Sequence, residues 1–182
     1  MPTYEKCPKS VENLAAEILC EYEDHKPLLD ARVTVDYVFA RCDKDEDGNP
    51  VEHAVAIKHH GVRALAVTRK TSLKQRALGN ADAEITIDWD WWEEAGPAEQ
   101  KALLDHELHH LEIKTNEDGD CKDDLGRPLL KLRPHDADYG WFKIIAERHG
   151  ANSQEVRQAR LLWDMHNQAF FPFLSEHHPV TA

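Results

Sequence analysis

The sequence has no uninterrupted apolar run long enough to span a membrane. Nor does any apolar core follow Met1-Pro2-Thr3-Tyr4-Glu5-Lys6, as an export signal would require. It has no C-x-x-C pair. The four cysteines, Cys7, Cys20, Cys42 and Cys121, are scattered, which argues against a structural zinc ribbon and points to reduced thiols in a cytoplasm. A long Lys/Arg block is missing too, and the formal net charge is -12. Such a surface repels phosphate backbones, so a nucleic-acid partner is not expected. Internal repeats are also absent. What remains is a cytoplasmic protein of 182 residues, read as one domain over 1–182 with its core at about 10–170 and loose termini. That length can bury a core without metal or disulfide staples.

From Ser10 to about Glu23, Val11, Leu14, Ala15, Ile18, Leu19 and Tyr22 recur at helical spacing, with Ser10 as the expected cap. Arg32 to Ala40 alternates as a half-buried strand through Val33, Val35, Tyr37 and Phe39. The run Asp43-Lys44-Asp45-Glu46-Asp47-Gly48 resembles the start of a calcium loop. Position twelve of that loop would be Ala54, however, where a bidentate Glu is needed, so a solvated turn is expected. Strands are expected at Ala54–Lys58 and Val62–Val67, joined through Gly61. The short basic stretch from Thr71 to Leu78 reads as a solvated helix face.

Ala83 to Trp92 reads as a strand with Ile85, Ile87 and Trp89 on one face. At a sheet edge it would let an extended chain pair with it, and Trp89, Trp91 and Trp92 would then line a cleft or else fill the core. Gly96-Pro97-Ala98-Glu99 starts a helix expected to run to about Lys114. A polar loop or hairpin follows to Arg133. A helix from Tyr139 to His149 stops at Gly150, and a last amphipathic helix begins at Ser153. The tail Phe171–Leu174 is expected to fold back on the core. The pattern is α+β: a small mixed or antiparallel sheet packed with an N-terminal helix, a central helix and C-terminal helices.

The central helix carries His106-Glu107-Leu108-His109-His110, which fits H-E-x-x-H. Four residues apart on a helix, His106 and His110 offer imidazoles to one metal ion. Glu107 stands beside them, where a carboxylate serves as base toward a metal-activated water. At ~100° per residue, Leu104, Leu108 and Leu111 form a core stripe nearly opposite the two histidines. A catalytic zinc takes three protein ligands, so one more is needed. No glycine and third histidine extend the motif, which rules out a metzincin. The candidates are His135, then Asp136 (as an alternative ligand or as the carboxylate that orients His135), then Glu147. His109 reads as a spare exposed histidine, or else as an outer-sphere or substrate contact. His25, His53, His59, His60, His149, His166, His177 and His178 read as surface or core residues, although His149 and Tyr139 are weak candidates for stabilising an oxyanion.

Five stretches together carry a family resemblance: Ile85-Thr86-Ile87, Trp92, Ala102 to His110, Leu132-Arg133-Pro134-His135-Asp136 and Arg148-His149-Gly150. Over roughly Val33 to Gly150 they resemble the putative phage metallopeptidases, zincin-like proteins of phages and prophages related in outline to SprT-like metalloproteases. The resemblance implies a zincin-like domain with Zn2+ on His106, His110 and His135 and with Glu107 as catalytic base. It implies hydrolysis of a protein or peptide substrate in the host cytoplasm. No paired cysteines match the zinc ribbon of SprT-like proteins, so cleavage of DNA-bound protein does not carry over. A catalytically silent, metal-stabilised inhibitor of a host protein is the alternative from another class. A hydrolase of a non-peptide amide is a third.

Overall fold

A computed structural model describes residues 2–42, 55–59, 61–117, 119–135 and 141–174. Strand β1 (Thr3–Lys6) leads into helix α1 (Lys9–Glu21), where Val11, Ala15 and Ile18 are buried on one face. Their three- and four-residue spacing gives the helix its single dry side. Its N-cap is Pro8, two residues ahead of the expected Ser10. A 3-10 turn at Glu23–His25 and the short helix α2 (Lys26–Asp30) follow. Strand β2 (Val35–Arg41) then puts Tyr37 and Phe39 into the core by simple alternation. The calcium-like run and Ala54 lie outside the described residues.

Of the strand expected to end at Lys58, only β3 (Lys58–His59) forms, paired with β4 (Val62–Arg63) across Gly61. Gly61 has φ 82, which favours glycine. The Ala64 N–H donates to the Ile57 carbonyl at 3.1 Å, one step further along the β3–β4 register, so the segment from Val62 first pairs with β3. Pairing resumes in β5 (Ala66–Lys70). Helix α3 (Leu73–Ala77) is closed by a Ser72–Gln75 capping box. Its Arg76 is buried, not solvated as the basic run suggested. The guanidinium pairs with Asp82 and Asp123 and donates to the Pro128 carbonyl at 2.7 Å.

Strand β6 (Ala83–Asp88) stops four residues short of Trp92. Asp88 ends it by accepting the N–H groups of Asp90 (3.1 Å) and Trp91 (3.4 Å), which starts helix α4 (Trp89–Glu94). Trp92 is buried and Trp89 packs edge-on to Phe39 at 4.6 Å between ring centres, so these two residues fill the core. Helix α5 (Pro97–His109) follows, entered where Glu99 Oε2 accepts the Gly96 N–H at 2.9 Å. The chain then runs through β7 (Leu111–Ile113), the two-residue strands β8 (Thr115–Asn116) and β9 (Gly119–Asp120), and β10 (Leu130–Leu132).

The fold is α+β. Its main sheet has the order β1-β2-β6-β5, with β2 and β6 parallel and the outer pairs antiparallel. Strand β6 is therefore interior and β5 takes the edge expected for it. Helices α1 and α5 share a core with Tyr37, Phe39, Ala66, Ile85 and Ile87 from one sheet face. Ala40 and Val67 face the other way, toward Ala56 and Ile57.

These elements form one compact unit, Met1–His135, and Asp136–Ala182 forms a second. In the second, helix α6 (Lys143–His149) stops at Gly150, φ 51, as expected. A 3-10 turn and helix α7 (Gln154–Leu174) follow, with Ser153 Oγ accepting the Val156 N–H at 3.2 Å. The tail Phe171–Leu174 is the last turn of α7. No described helix is long and apolar enough to cross a membrane.

Asp82 ties β6 to its surroundings. Burial raises its carboxyl pKa, but the Thr34 N–H and hydroxyl, then Arg76 and Arg127, outweigh burial and hold it below the usual value. A carboxyl with a lower pKa folded than unfolded stabilises fully above the unfolded value of 3.8. That stability is lost as pH falls through the lower folded value. Urea unfolding of the metal-free chain should thus show stability dropping below about pH 4, with a shallower drop in Asp82→Asn. Identical acid limbs in the two proteins would remove this role for Asp82.

Candidate metal centre

Three described elements build the site. Helix α5 is buried through Leu103, Leu104, Asp105, Glu107, Leu108 and His109, so only part of its last turns meets solvent. His106 and His110 occupy that part and are half-buried. The helix ends at His109 with His110 as its cap, about five residues earlier than expected, because Leu111–Ile113 leaves as strand β7. Strand β10 pairs antiparallel with β7, Leu132 opposite Leu111. The pairing extends one step further, with the Arg133 N–H on the His110 carbonyl at 2.7 Å. Pro134 has no N–H and cannot continue the ladder, so the chain departs there and delivers His135.

His106, His110 and His135 converge. Their donor nitrogens all lie within 4.8 Å of one another. Ring centres are 5.1 Å apart for His106–His110 and for His106–His135, and 4.8 Å for His110–His135. Nε2 of His106 and Nε2 of His135 are 3.2 Å apart. Two nitrogens on a tetrahedral zinc, each ~2.0–2.1 Å from it, stand about 3.3 Å apart. The donor set therefore suits zinc in chemistry, and the His106–His135 pair suits it in spacing. His110 Nδ1 donates to the Arg133 carbonyl at 2.8 Å, which leaves Nε2 as its lone-pair nitrogen. Burial, with His106 and His135 adding to it, pushes the His110 pKa down to about 4 against the pull of that carbonyl, so the ring is neutral at pH 7.

Glu107 is buried, 4% exposed, on the side of α5 that meets β5. The Thr68 hydroxyl lies 2.6 Å from Glu107 Oε2 and 2.9 Å from the Glu107 carbonyl. Its single proton serves one of them at a time. His109 is not an exposed spare histidine. It is 7% exposed, with Nδ1 3.0 Å from Asp24 and Nε2 2.6 Å from the Arg133 guanidinium. Burial and that guanidinium push its pKa down to about 4. His25 is a buried core histidine bonded to Asp105 at 2.6 Å. Asp136 and Tyr139 lie outside the described residues. Glu147 and His149 lie on α6 in the second unit, where Lys143 pairs with Glu147 at 3.4 Å.

Sequence patterns assign no role to Thr68, Asp24 or Arg133. Nothing local marks Thr68 or Asp24, whose partners are dozens of positions away. For Arg133 a signal existed, since it stands two residues before His135.

An α+β chain with three imidazoles around one point, two of them on an H-E-x-x-H helix, presents a candidate transition-metal centre. The chain belongs to the family described as "Putative phage metallopeptidase", whose model matches residues 3–163. No curated protein and no solved structure matches it.

Replacing Thr68 tests the anchoring of Glu107 without any need for a substrate. Thr68→Val leaves the buried carboxylate short of one donor and should lower stability by about 1–3 kcal/mol in urea unfolding. Thr68→Ser, which keeps the hydroxyl, should stay close to wild type. Equal midpoints for wild type and Thr68→Val would show that the contact carries no weight.

Proposed function

We propose that this chain is a zinc-dependent peptidase with a zincin-like fold, holding the ion on His106, His110 and His135. The observation that carries this reading is the convergence of those three imidazoles at the end of an H-E-x-x-H helix. Membership of a metallopeptidase family supports it. The family match crosses both compact units without a break, which supports one functional domain.

When bound, zinc supplies Lewis acidity, which polarises a carbonyl and lowers the pKa of a water. The protein supplies the rest. Glu107 takes a proton from the attacking water and gives it to the departing amine, the double duty of a general base that becomes a general acid. Thr68, on the edge strand β5, holds one carboxylate oxygen so that Glu107 keeps a single orientation. Imidazole ligands bring no charge of their own, so an ion held by these three residues would keep its full positive charge to offer a substrate carbonyl. The substrate is a protein or peptide.

Elemental analysis of the purified chain should give about one zinc per chain, the single ion that three ligands and a water complete. Glu107→Gln should keep that metal and lose at least ~100-fold in peptide hydrolysis, measured on a quenched-fluorescence peptide library. His110→Ala should lose both. Undiminished hydrolysis by Glu107→Gln would overturn the mechanism. A metal-free wild type after zinc loading would overturn the centre itself.

A further inference from the structure

The histidine beside the motif, His109, belongs to a network that the three candidate ligands do not account for. A guanidinium can only donate, so His109 Nε2 accepts from Arg133 Nη1 at 2.6 Å. The His109 proton is then on Nδ1, which donates to Asp24 at 3.0 Å. Asp24 sits in the 3-10 turn before α2, next to His25, which is itself locked to Asp105 of α5. The relay Asp24–His109–Arg133 thus runs from that turn, through α5, to the chain leaving β10.

Asp24, His25 and His109 also place donor atoms within 4.8 Å of one another, as a second metal site would. The Arg133 guanidinium argues against one. Its Nη1 lies 3.3 Å from His109 Nδ1 as well as 2.6 Å from Nε2, so a fixed positive charge already stands where a cation would bind.

We propose that Arg133 is a positioning residue for the metal centre, its guanidinium clamped by His109, which Asp24 holds in turn, so that its carbonyl orients His110 and the next residues present His135. The proposal rests on the reading that His106, His110 and His135 hold zinc. Arg133 is the last residue tied to the sheet before Pro134, and it touches His110 through both its N–H and its carbonyl. His135, two residues on, is exposed. Its position is therefore set by how firmly Arg133 is held. Backbone bonds alone fix one end of a short arm, whereas the side-chain clamp fixes its direction. Groups that orient a metal ligand through a hydrogen bond typically change affinity 10–100-fold when removed.

Zinc affinity can be measured by chelator competition on the full chain, comparing wild type, Arg133→Met, His109→Phe, the double variant and His135→Ala. Arg133→Met keeps the side-chain stem and removes the guanidinium. Each single variant should bind zinc at least ~10-fold more weakly. The double variant should be no weaker than the worse single, because both break one link. Cobalt-loaded Arg133→Met should show the weakened visible absorption of a centre that has lost a histidine, as His135→Ala does. A merely structural role would leave that saturated spectrum unchanged. Wild-type affinity and spectrum in both single variants, with His135→Ala impaired, would overturn the clamp and leave the zinc reading standing. Failure of both single variants to fold without metal would also overturn it, by making the network structural. Wild type that binds no zinc would instead overturn the reading beneath the proposal.

Discussion

His110 gives its Nδ1 proton to the Arg133 carbonyl while its own carbonyl takes the Arg133 N–H, and this reciprocal pair joins the end of α5 to the end of β10. Everything else at the site depends on it. Helix α5 presents two imidazoles by its own geometry. The third comes from a segment 25 positions further along, whose approach is set by three residue pairs of β7 and β10 and by this extra step. Without the step, the arm after Leu132 would leave the sheet before reaching His110. With it, one contact both fixes the donor nitrogen of His110 and delivers His135.

A second constraint is that α5 cannot turn about its axis. Leu104 and Leu108 pack under the sheet, Asp105 bonds His25, Glu107 meets Thr68, and His109 meets Asp24 and Arg133. A helix with polar groups buried on several sides needs each of them satisfied, since an orphaned buried group costs about 1–3 kcal/mol. Those requirements together fix one rotation. At that rotation His106 and His110 are the residues of the last two turns left facing outward. Polar anchoring around the helix thereby accomplishes what an apolar stripe alone would leave loose.

Much of the architecture was legible because it is local. The stripe of Val11, Ala15 and Ile18, the alternation of Tyr37 and Phe39, and the stop at Gly150 are consequences of spacing and backbone freedom over a few residues. Errors arose where distant groups intervened. The strand through Ile85 and Ile87 ended early because Asp88 caps a helix. Arg76 looked solvated because Asp82 and Asp123, which bury it, are remote in sequence or carry no special pattern. His109 looked spare for the same reason.

The sequence by itself determined that His106 and His110 share one helix face, since four residues on a helix is a fixed geometry, and it marked His135 as the favoured third candidate ligand. Only the tertiary structure decided that Thr68 stands over Glu107, that β5 lies at a sheet edge and β6 inside, and that His109 is buried against Arg133 and Asp24. Those are pairings between segments. They follow from which surfaces bury each other when the chain folds, and no short stretch of residues contains that information.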